Sequence, residues 1–286
     1  MQKSSTSGTT SGFGAGRLPI THRAVAFDFS SVPRHWWGGN AFATHLANGV
    51  NLLFPAGERF FVRSVRHFQD RIEDPSLRAA VRAFNAQEGS HSKAHDTQIR
   101  TLEAQGYRVR RFLARYEKIG FGLIAPSVSP EMRLAVTVAL EHYTAILAEH
   151  ALQDPMLEYA HPVMRQLLRW HAAEEIEHKA VAFDVLKVVN PSYALRMGGM
   201  ALATAGLFGF WMAAFAMLLS QEKKLTGASL AQPRVPEAQR RSILRDVVLA
   251  GIREYARPDF HPNDKDTLPL ARAYLATAGL PLERTP

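Results

Sequence analysis

The sequence predicts an all-α protein: a four-helix bundle with an added hydrophobic helix and a C-terminal helical extension. Four long stretches with apolar residues at helical spacing begin with a residue followed by proline: Asp74-Pro75, Ser129-Pro130, His161-Pro162 and Asn190-Pro191. Asp, Ser and Asn are good helix caps, and proline suits the first helical position. No segment alternates between apolar and polar residues over a useful length, so we expect no β-sheet.

The helix boundaries follow from the same signals. We expect helices at about 41–71, 75–105, 130–153, 162–189 and 191–220. Pro55 lies inside the first range and should kink that helix or start a new one, because it lacks the N–H of the helical hydrogen bond. Gly106 follows the second range, where a C-terminal glycine commonly ends a helix.

Composition divides the chain into three parts: a tail at 1–24, the main helical domain at 25–225, and a C-terminal linker with a helical extension at 226–286. The tail is rich in Gly, Ser and Thr, which predicts disorder and not a secretory signal. The extension should contain a linker at 226–236, a helix near 237–256 and a short final helix. Between these two helices, we expect His261 and Asp264 to stabilise a local turn.

Residues 197–219 form the most apolar long stretch of the chain. They contain no charged side chain, and Thr204 is their one hydroxyl. At about 1.5 Å per residue, a helix of this length spans a bilayer. Arg196 precedes the stretch, and Lys223 and Lys224 follow it. The pattern fits two structures equally: a fully buried central helix or a membrane-inserted helix.

The composition also restricts the chemistry. The chain has no cysteine, so any metal must be held by histidines and carboxylates. The net charge is +8, but aromatic and basic residues do not interleave as a nucleic-acid surface requires. We expect no nucleic-acid partner, and attraction to an anionic membrane surface accounts for the charge.

Two predicted helices carry the same pair of potential metal ligands. Glu88 precedes His91 by three residues, and Glu175 precedes His178 by three residues. Since each helical residue advances about 100°, the two members of each pair share one face. His171 lies on the same stripe as the second pair, one turn before Glu175.

Di-metal carboxylate bundles combine two Glu-x-x-His helices with two helices that each supply one inward glutamate. The other two long helices offer Glu58 in "LLFPAGERFFV" and Glu141 in "LAVTVALEHYTAILA". Four buried carboxylates would repel one another, and two divalent cations would balance their charge. The sequence therefore predicts a site for two metal ions. Fe or Mn suits these ligands best, and Zn is also compatible.

Three more histidines lie near these stripes. His95 follows His91 by one turn and is either a ligand or a residue that orients a ligand. His142 and His150 flank the Glu141 stripe and are either supporting residues or surface residues.

The motifs "FPAGERFF", "FNAQEGSHSKAH", "LEHYTA" and "WHAAEEIEHKAVAFD" resemble the bacterial family labelled predicted metal-dependent hydrolase. The resemblance covers roughly residues 30–265 and implies a ferritin-like helical core with a metal-dependent activity.

The ligand pattern is also similar to that of the di-iron arylamine N-oxygenases, which add a histidine one turn before the last Glu-x-x-His. His171 occupies that position, so the similarity implies that it is a metal ligand. By the same analogy Glu88 and Glu175 would bridge the metals. Glu58 and Glu141 would be terminal ligands.

Three functions fit these patterns. The first is an O₂-activating di-iron oxidase or oxygenase, which acts on a hydrophobic, lipid-like small molecule and draws on an electron donor. The second is a hydrolase with a metal-bridging hydroxide as nucleophile. The third is a non-enzymatic, membrane-associated metal-binding protein. Paired Glu-x-x-His motifs favour the first. We expect a cytoplasmic location, either at the inner face of the membrane or inserted through residues 197–219.

Overall fold

The computed structural model describes residues 20–222 and 243–282, and these residues are helical with no β-strand. The α-helices are α1 Ala41–Asn51, α2 Phe54–Arg66, α3 Pro75–Ala104, α4 Arg110–Tyr116, α5 Pro130–Gln153, α6 Pro162–His178, α7 Val181–Val189, α8 Tyr193–Leu219, α9 Ala250–Tyr255 and α10 Leu268–Thr277. One π-helix at Glu117–Ile124 follows α4, and another at Ile243–Leu249 precedes α9. The all-α prediction is confirmed.

Three of the four proline-marked starts, those of α3, α5 and α6, are where the sequence predicted them. The side chains of Asp74 and Ser129 cap α3 and α5 by accepting backbone N–H bonds. The fourth start is shifted by two residues, because Ser192 and not Asn190 caps α8.

Two predicted helices are each divided in the structure. The range 41–71 forms α1 and α2, with Pro55 in the first turn of α2, so this proline starts a new helix. The range 162–189 forms α6 and α7, with the break after His178. The sequence analysis placed no helix at 110–124, where the structure has α4 and the first π-helix.

Helices α2, α3, α5 and α6 pack against one another as the central bundle. Helix α8 lies along α5 and α1, and α10 packs on α6. Apolar layers enclose the middle of the bundle. One contains Phe84 and Val138, and another contains Leu167 and Trp170. These layers keep water away from the polar residues between them. The ferritin-like connectivity implied by the resemblance stays a prediction.

Helix α8 contains the apolar stretch 197–219 as one continuous helix, as predicted. Among the described residues it is the helix long and apolar enough to cross a membrane by length and composition. The bundle does not enclose it, since only 17% of its most apolar window is buried. One side packs on the bundle: Trp211 Nε1 donates a hydrogen bond to the carbonyl of Leu46 at 2.7 Å. The other side is open.

Several predictions concern residues outside the described ranges: most of the tail (1–19), Lys223 and Lys224, the linker at 226–236, and the start of the helix predicted near 237–256. Residues 20–24 were assigned to the tail, yet Thr21 and Arg23 are buried against the bundle. Ion pairs of Arg23 hold this segment in place.

We predict that Gly199→Ala destabilises the protein by about 1–3 kcal/mol, the usual cost of overpacking. A Cβ at Gly199 would lie 2.5 Å from the backbone carbonyl of Ala135, so α8 would have to move away from α5. Gly206→Ala on the same helix is the matched control, because a Cβ there meets nothing within 4 Å. Chemical denaturation should show a loss for the first variant and no loss for the second. Equal effects would contradict the close packing of α8 on α5.

Candidate metal centre

The four bundle helices bring all of the predicted ligands to one buried place. They come from α2 (Glu58), α3 (Glu88, His91), α5 (Glu141) and α6 (His171, Glu175, His178). None is more than 4% exposed, so the cluster lies in the core. The i, i+3 spacing on α3 and α6 directs each Glu and His of a pair to the same side, as the sequence analysis expected.

On one side of the cluster, Glu88, Glu141, Glu175 and His178 place one ligand atom each within 4.8 Å of one another. Nε2 of His178 lies 3.2 Å from Glu88, 3.4 Å from Glu175 and 3.5 Å from Glu141. Three carboxylates therefore surround one imidazole nitrogen, and these four groups could hold one metal ion.

On the other side, His91 lies near Glu88 and Glu175, whereas His171 lies near Glu175 and Glu58. Nδ1 of His91 lies 3.5 Å from Glu88 and 3.6 Å from Glu175. Nε2 of His171 lies 2.7 Å from Glu175 and 3.8 Å from Glu58. Glu88 and Glu175 belong to groups on both sides, so their positions are compatible with two bridging carboxylates.

Many polar atoms of this cluster have no hydrogen-bond partner although they are buried. They are both carboxylate oxygens of Glu58, Glu88 and Glu141, Oε2 of Glu175, Nδ1 of His91 and Nε2 of His178. A buried polar atom without a partner costs about 1–3 kcal/mol, and a charged one costs more. Cations between these atoms would satisfy all of them together, so the residues fit bound metal ions.

The electrostatics lead to the same conclusion. Burial raises the pKa of Glu58 and of Glu141 well above the ordinary value. Burial would also raise the pKa of Glu175, but His178 and His171 outweigh it and lower that pKa well below the ordinary value. Burial opposes protonation of His91, yet Glu174 and Glu88 raise its pKa to about 10. Without metal, protons on these side chains reduce the repulsion among the carboxylates, as bound cations would.

A second layer of residues orients the two histidines of the Glu-x-x-His pairs. Nε2 of His91 donates to Glu174 at 2.9 Å, which leaves its Nδ1 facing the carboxylates. Nδ1 of His178 donates to Oε1 of Gln87 at 2.9 Å, which leaves its Nε2 facing them. Such partners fix the tautomer and the ring orientation of metal ligands.

Arg23 connects this second layer. Its guanidinium lies 3.1 Å from Glu174 and makes two 2.8 Å contacts with Glu177. Glu177 in turn accepts a hydrogen bond from Gln87 at 2.9 Å. Arg23, Gln87 and Glu174 were not among the site residues predicted from the sequence, although Glu174 directly precedes the predicted ligand Glu175.

We predict that Arg23→Met weakens metal binding roughly 10–100-fold, the range found for residues that support ligands. The change leaves Glu174 and Glu177 without their buried cation, so His91 and His178 lose their fixed orientation. Arg82→Met is the control, because Arg82 is exposed on α3. Metal affinity should be measured by competition with a chelator. An affinity equal to that of the control would show that the network is structural only.

The three other histidines near the predicted ligand stripes each have a defined contact. Nε2 of His95 lies 2.7 Å from Nδ1 of His171, and Glu58, His95 and His171 form one of the groups that could hold a metal ion, so both roles expected of His95 stay predictions. Nε2 of His142 donates to the carbonyl of Gly251 at 2.8 Å. His150 pairs with Asp154.

The turn at 262–264 forms as expected. The backbone N–H of His261 donates to Asp264, and the His261 ring accepts from the backbone of Asn263. The ring also lies 2.9 Å from Asp184 on α7, so this turn braces the C-terminal extension against the bundle.

A further group, which the sequence analysis missed, lies at the end of α8. Oε1 of Glu222 is 2.7 Å from His45 and 3.1 Å from His35, and the Tyr107 hydroxyl donates to it. Burial opposes ionisation of Glu222, but Tyr107 and His45 lower its pKa to about 2. The Arg34 guanidinium lies 3.5 Å away and disfavours a metal cation here. This group instead anchors the end of α8.

A large apolar cavity leads to the cluster. Its volume is about 1220 Å³, above the roughly 300–1,000 Å³ common for small-molecule sites. Its lining includes Phe54, Phe61, Tyr143, Leu147, Gly206 and Phe210, and it reaches Glu58, His171 and Glu175. The cavity lies between the bundle and α8, so an apolar molecule within it would meet the side of the cluster that carries His171.

Fold and site together define a helical-bundle protein whose buried histidine and glutamate clusters could hold metal ions. The chain belongs to the predicted metal-dependent hydrolase family, whose model matches residues 21–266. Neither a search of curated proteins nor a search of solved structures found a match. The family resemblance inferred from the motifs is confirmed. The similarity to the arylamine N-oxygenase site stays a prediction.

Proposed function

We propose that the protein is a non-haem di-metal oxidoreductase that activates O₂ and oxidises a hydrophobic small molecule. The observation that carries this proposal is the 1220 Å³ apolar cavity that reaches Glu58, His171 and Glu175 of a paired Glu-x-x-His centre. Iron is the metal that this ligand type suits best, with Mn as a close second. If bound, two redox-active ions would supply the electrons that reduce dioxygen, and an external electron donor would be needed to restore those electrons.

The residues of the chain have separate roles in this proposal. Glu88 and Glu175 lie between the two halves of the centre, and Glu58 and Glu141 close its ends. The apolar walls hold the substrate and exclude water, which strengthens every electrostatic contact inside. His171 lies at the junction of cavity and centre, so it faces both substrate and metal site.

Hydrolysis is the second candidate, and the description of the family favours it. The same ligands could hold Zn or Mn and activate a water molecule. Non-enzymatic metal binding is the third candidate. The size and apolar lining of the cavity support an enzyme with a bulky substrate better than a storage protein.

The proposal extends to location and partners. The open apolar side of α8 and the net charge of +8 support contact with an anionic membrane on the cytoplasmic side. A lipid-like substrate and an electron donor are the partners proposed, with no role for nucleic acid. If α8 inserts into the bilayer, washing membranes with carbonate should leave the protein in the pellet.

The deciding experiment is anaerobic loading of metal-free protein with Fe(II), followed by exposure to oxygen. We expect about two ions per chain, the usual content of such bundles. Oxygen consumption should exceed that of Fe(II) in buffer and should be lost in Glu175→Ala. Glu73→Ala, on an exposed glutamate, is the control. Tightly bound Zn with ester hydrolysis that needs no oxygen would instead establish the hydrolase.

A further inference from the structure

The segment 108–124, here called the portal segment, combines α4 with the first π-helix. It reads "RVRRFLARYEKIGFGLI" and presents Arg108, Arg111, Arg115 and Lys118 to solvent. Its one acidic residue, Glu117, lies 3.1 Å from the Arg59 guanidinium and is thereby neutralised. The outer surface of this segment is therefore strongly cationic.

Large apolar side chains follow this charge directly. Ile119 is 42% exposed, Leu123 58% and Ile124 45%. Exposed aliphatic side chains beside a cluster of Lys and Arg match the interfacial region of an anionic bilayer, where apolar groups enter the acyl boundary and cations contact the headgroups.

The inner side of the portal segment forms a wall of the cavity. The Phe121 ring packs between Phe60 and Tyr116, with centroids 5.3 Å from each. Tyr116 also contacts Phe210 of α8 at 4.8 Å. Tyr116 and Phe121 line the cavity, so the element with the exposed cationic and apolar surface also forms part of the wall of the cavity that reaches the metal centre.

The rim of the cavity is apolar on the other side as well. Leu202 and Met212 of α8 line the cavity, yet they are 40% and 43% exposed. Ile124 of the portal segment likewise lines the cavity and is exposed. A molecule that leaves a bilayer at this rim would first meet these apolar side chains on its way in.

The portal segment also contains glycines that packing does not require. A Cβ at Gly120 would lie 3.7 Å from its nearest neighbour, and one at Gly122 would lie 3.8 Å away, both ordinary contacts. Glycine weakens helical structure, and π-helical turns occur frequently at functional sites. These two glycines therefore lower the intrinsic helical stability of this wall.

From these observations we infer that the portal segment docks the protein on an anionic membrane surface and admits a membrane lipid to the cavity between itself and α8. This inference rests on the proposed function for the fate of the lipid, but the docking itself is independent of metal. The segment contacts the interface without crossing the bilayer, which distinguishes it from insertion of α8.

The test is co-sedimentation of the full-length, metal-loaded protein with vesicles of phosphatidylcholine alone or mixed with phosphatidylglycerol. We expect binding to the anionic vesicles at ~0.1 M salt and release at ~1 M salt, where the Debye length falls from about 10 Å to about 3 Å. Carbonate should also release the protein. The double variant Ile119→Glu/Leu123→Glu should lose at least tenfold in binding.

Val188→Glu is the matched control, because Val188 is 41% exposed on α7, outside the portal segment. Thermal unfolding of each variant checks folding, and Arg111→Glu/Arg115→Glu tests the charge without touching an apolar residue. Equal binding of the portal and control variants would overturn the inference. Binding that resists carbonate would also overturn it, because it indicates insertion of α8. Self-association without vesicle binding would overturn it as well, because it indicates that the partner is a second copy of the chain.

Metal content and oxygen consumption of the same variants, measured without vesicles, separate the two proposals. If the portal variants load metal and consume oxygen but the wild type does not dock, only the inference fails. If the wild type docks but neither holds redox-active metal nor consumes oxygen, the proposed function fails and the docking surface stands.

Discussion

Replacing Glu58 or Glu141 by glutamine should abolish most of the stabilisation that metal gives the protein, while the metal-free protein should be at least as stable as the wild type. Burial raises the pKa of both carboxyl groups well above the ordinary value, so the metal-free core favours the protonated form of each. Glutamine has the same shape and is neutral, so it fits the metal-free core. It cannot supply the anionic oxygen that a metal ligand requires.

The expected size of this stabilisation follows from the thermodynamic linkage between metal binding and folding. Metal at a hundredfold excess over its dissociation constant should stabilise the wild type by ~2.7 kcal/mol. For a chain of this size that is roughly 4–5 °C in Tm. Either glutamine variant should lose most of this rise in calorimetric scans with and without Mn(II). Glu73→Gln, on an exposed residue, should keep all of it.

The same comparison has a defined pH dependence. A glutamate whose folded pKa is raised contributes stability at low pH that is lost as the pH rises towards that folded pKa. In the metal-free state the advantage of Glu58→Gln over the wild type should therefore grow from pH ~4.3, the ordinary glutamate pKa, towards neutral pH. A variant that destabilises the metal-free protein and keeps the full metal-induced rise would identify the cluster as a structural polar core.

The sequence was sufficient to predict those site residues and helix starts that are marked by nearby residues in the chain. Helical spacing placed Glu88 with His91 and Glu175 with His178 on shared faces, and cap residues such as Asp74 marked the helix starts. Convergence of the four helices could be predicted because lone glutamates in apolar surroundings are unfavourable without a common partner.

Residues that act through long-range contacts could not be found in this way. Arg23 meets Glu174 from 151 positions away, and its own segment has the composition of a tail. Glu222 likewise reaches His45 across 177 positions. The π-helix at Glu117–Ile124 contains two glycines and shows no clear apolar period, so periodicity gives no signal there. The helix break after His178 also gives no signal in the sequence, because no proline or glycine marks it.

His171 should be the residue whose loss changes the metal pair most without unfolding the bundle. Its Nε2 lies 2.7 Å from Glu175 and faces the centre, while its Nδ1 faces His95. Burial, together with nearby His91, lowers the pKa of His171, so its ring is held in the neutral form that binds metals. These contacts support the ligand role implied by the position of His171 one turn before Glu175.

We therefore expect His171→Ala to fold normally, to change the optical or paramagnetic spectrum of the Fe-loaded protein, and to lose at least ~100-fold in oxygen consumption, the upper end of the effect of a supporting residue. His95→Gln should have a smaller effect, because His95 shares a candidate ligand group only with Glu58 and His171. His67→Ala, on an exposed histidine of the same chain, should have none. If His171→Ala keeps two ions with an unchanged spectrum, His171 only supports Glu175 by hydrogen bonding. The similarity to the N-oxygenase ligand set would then end at the four glutamates and two histidines of the bundle.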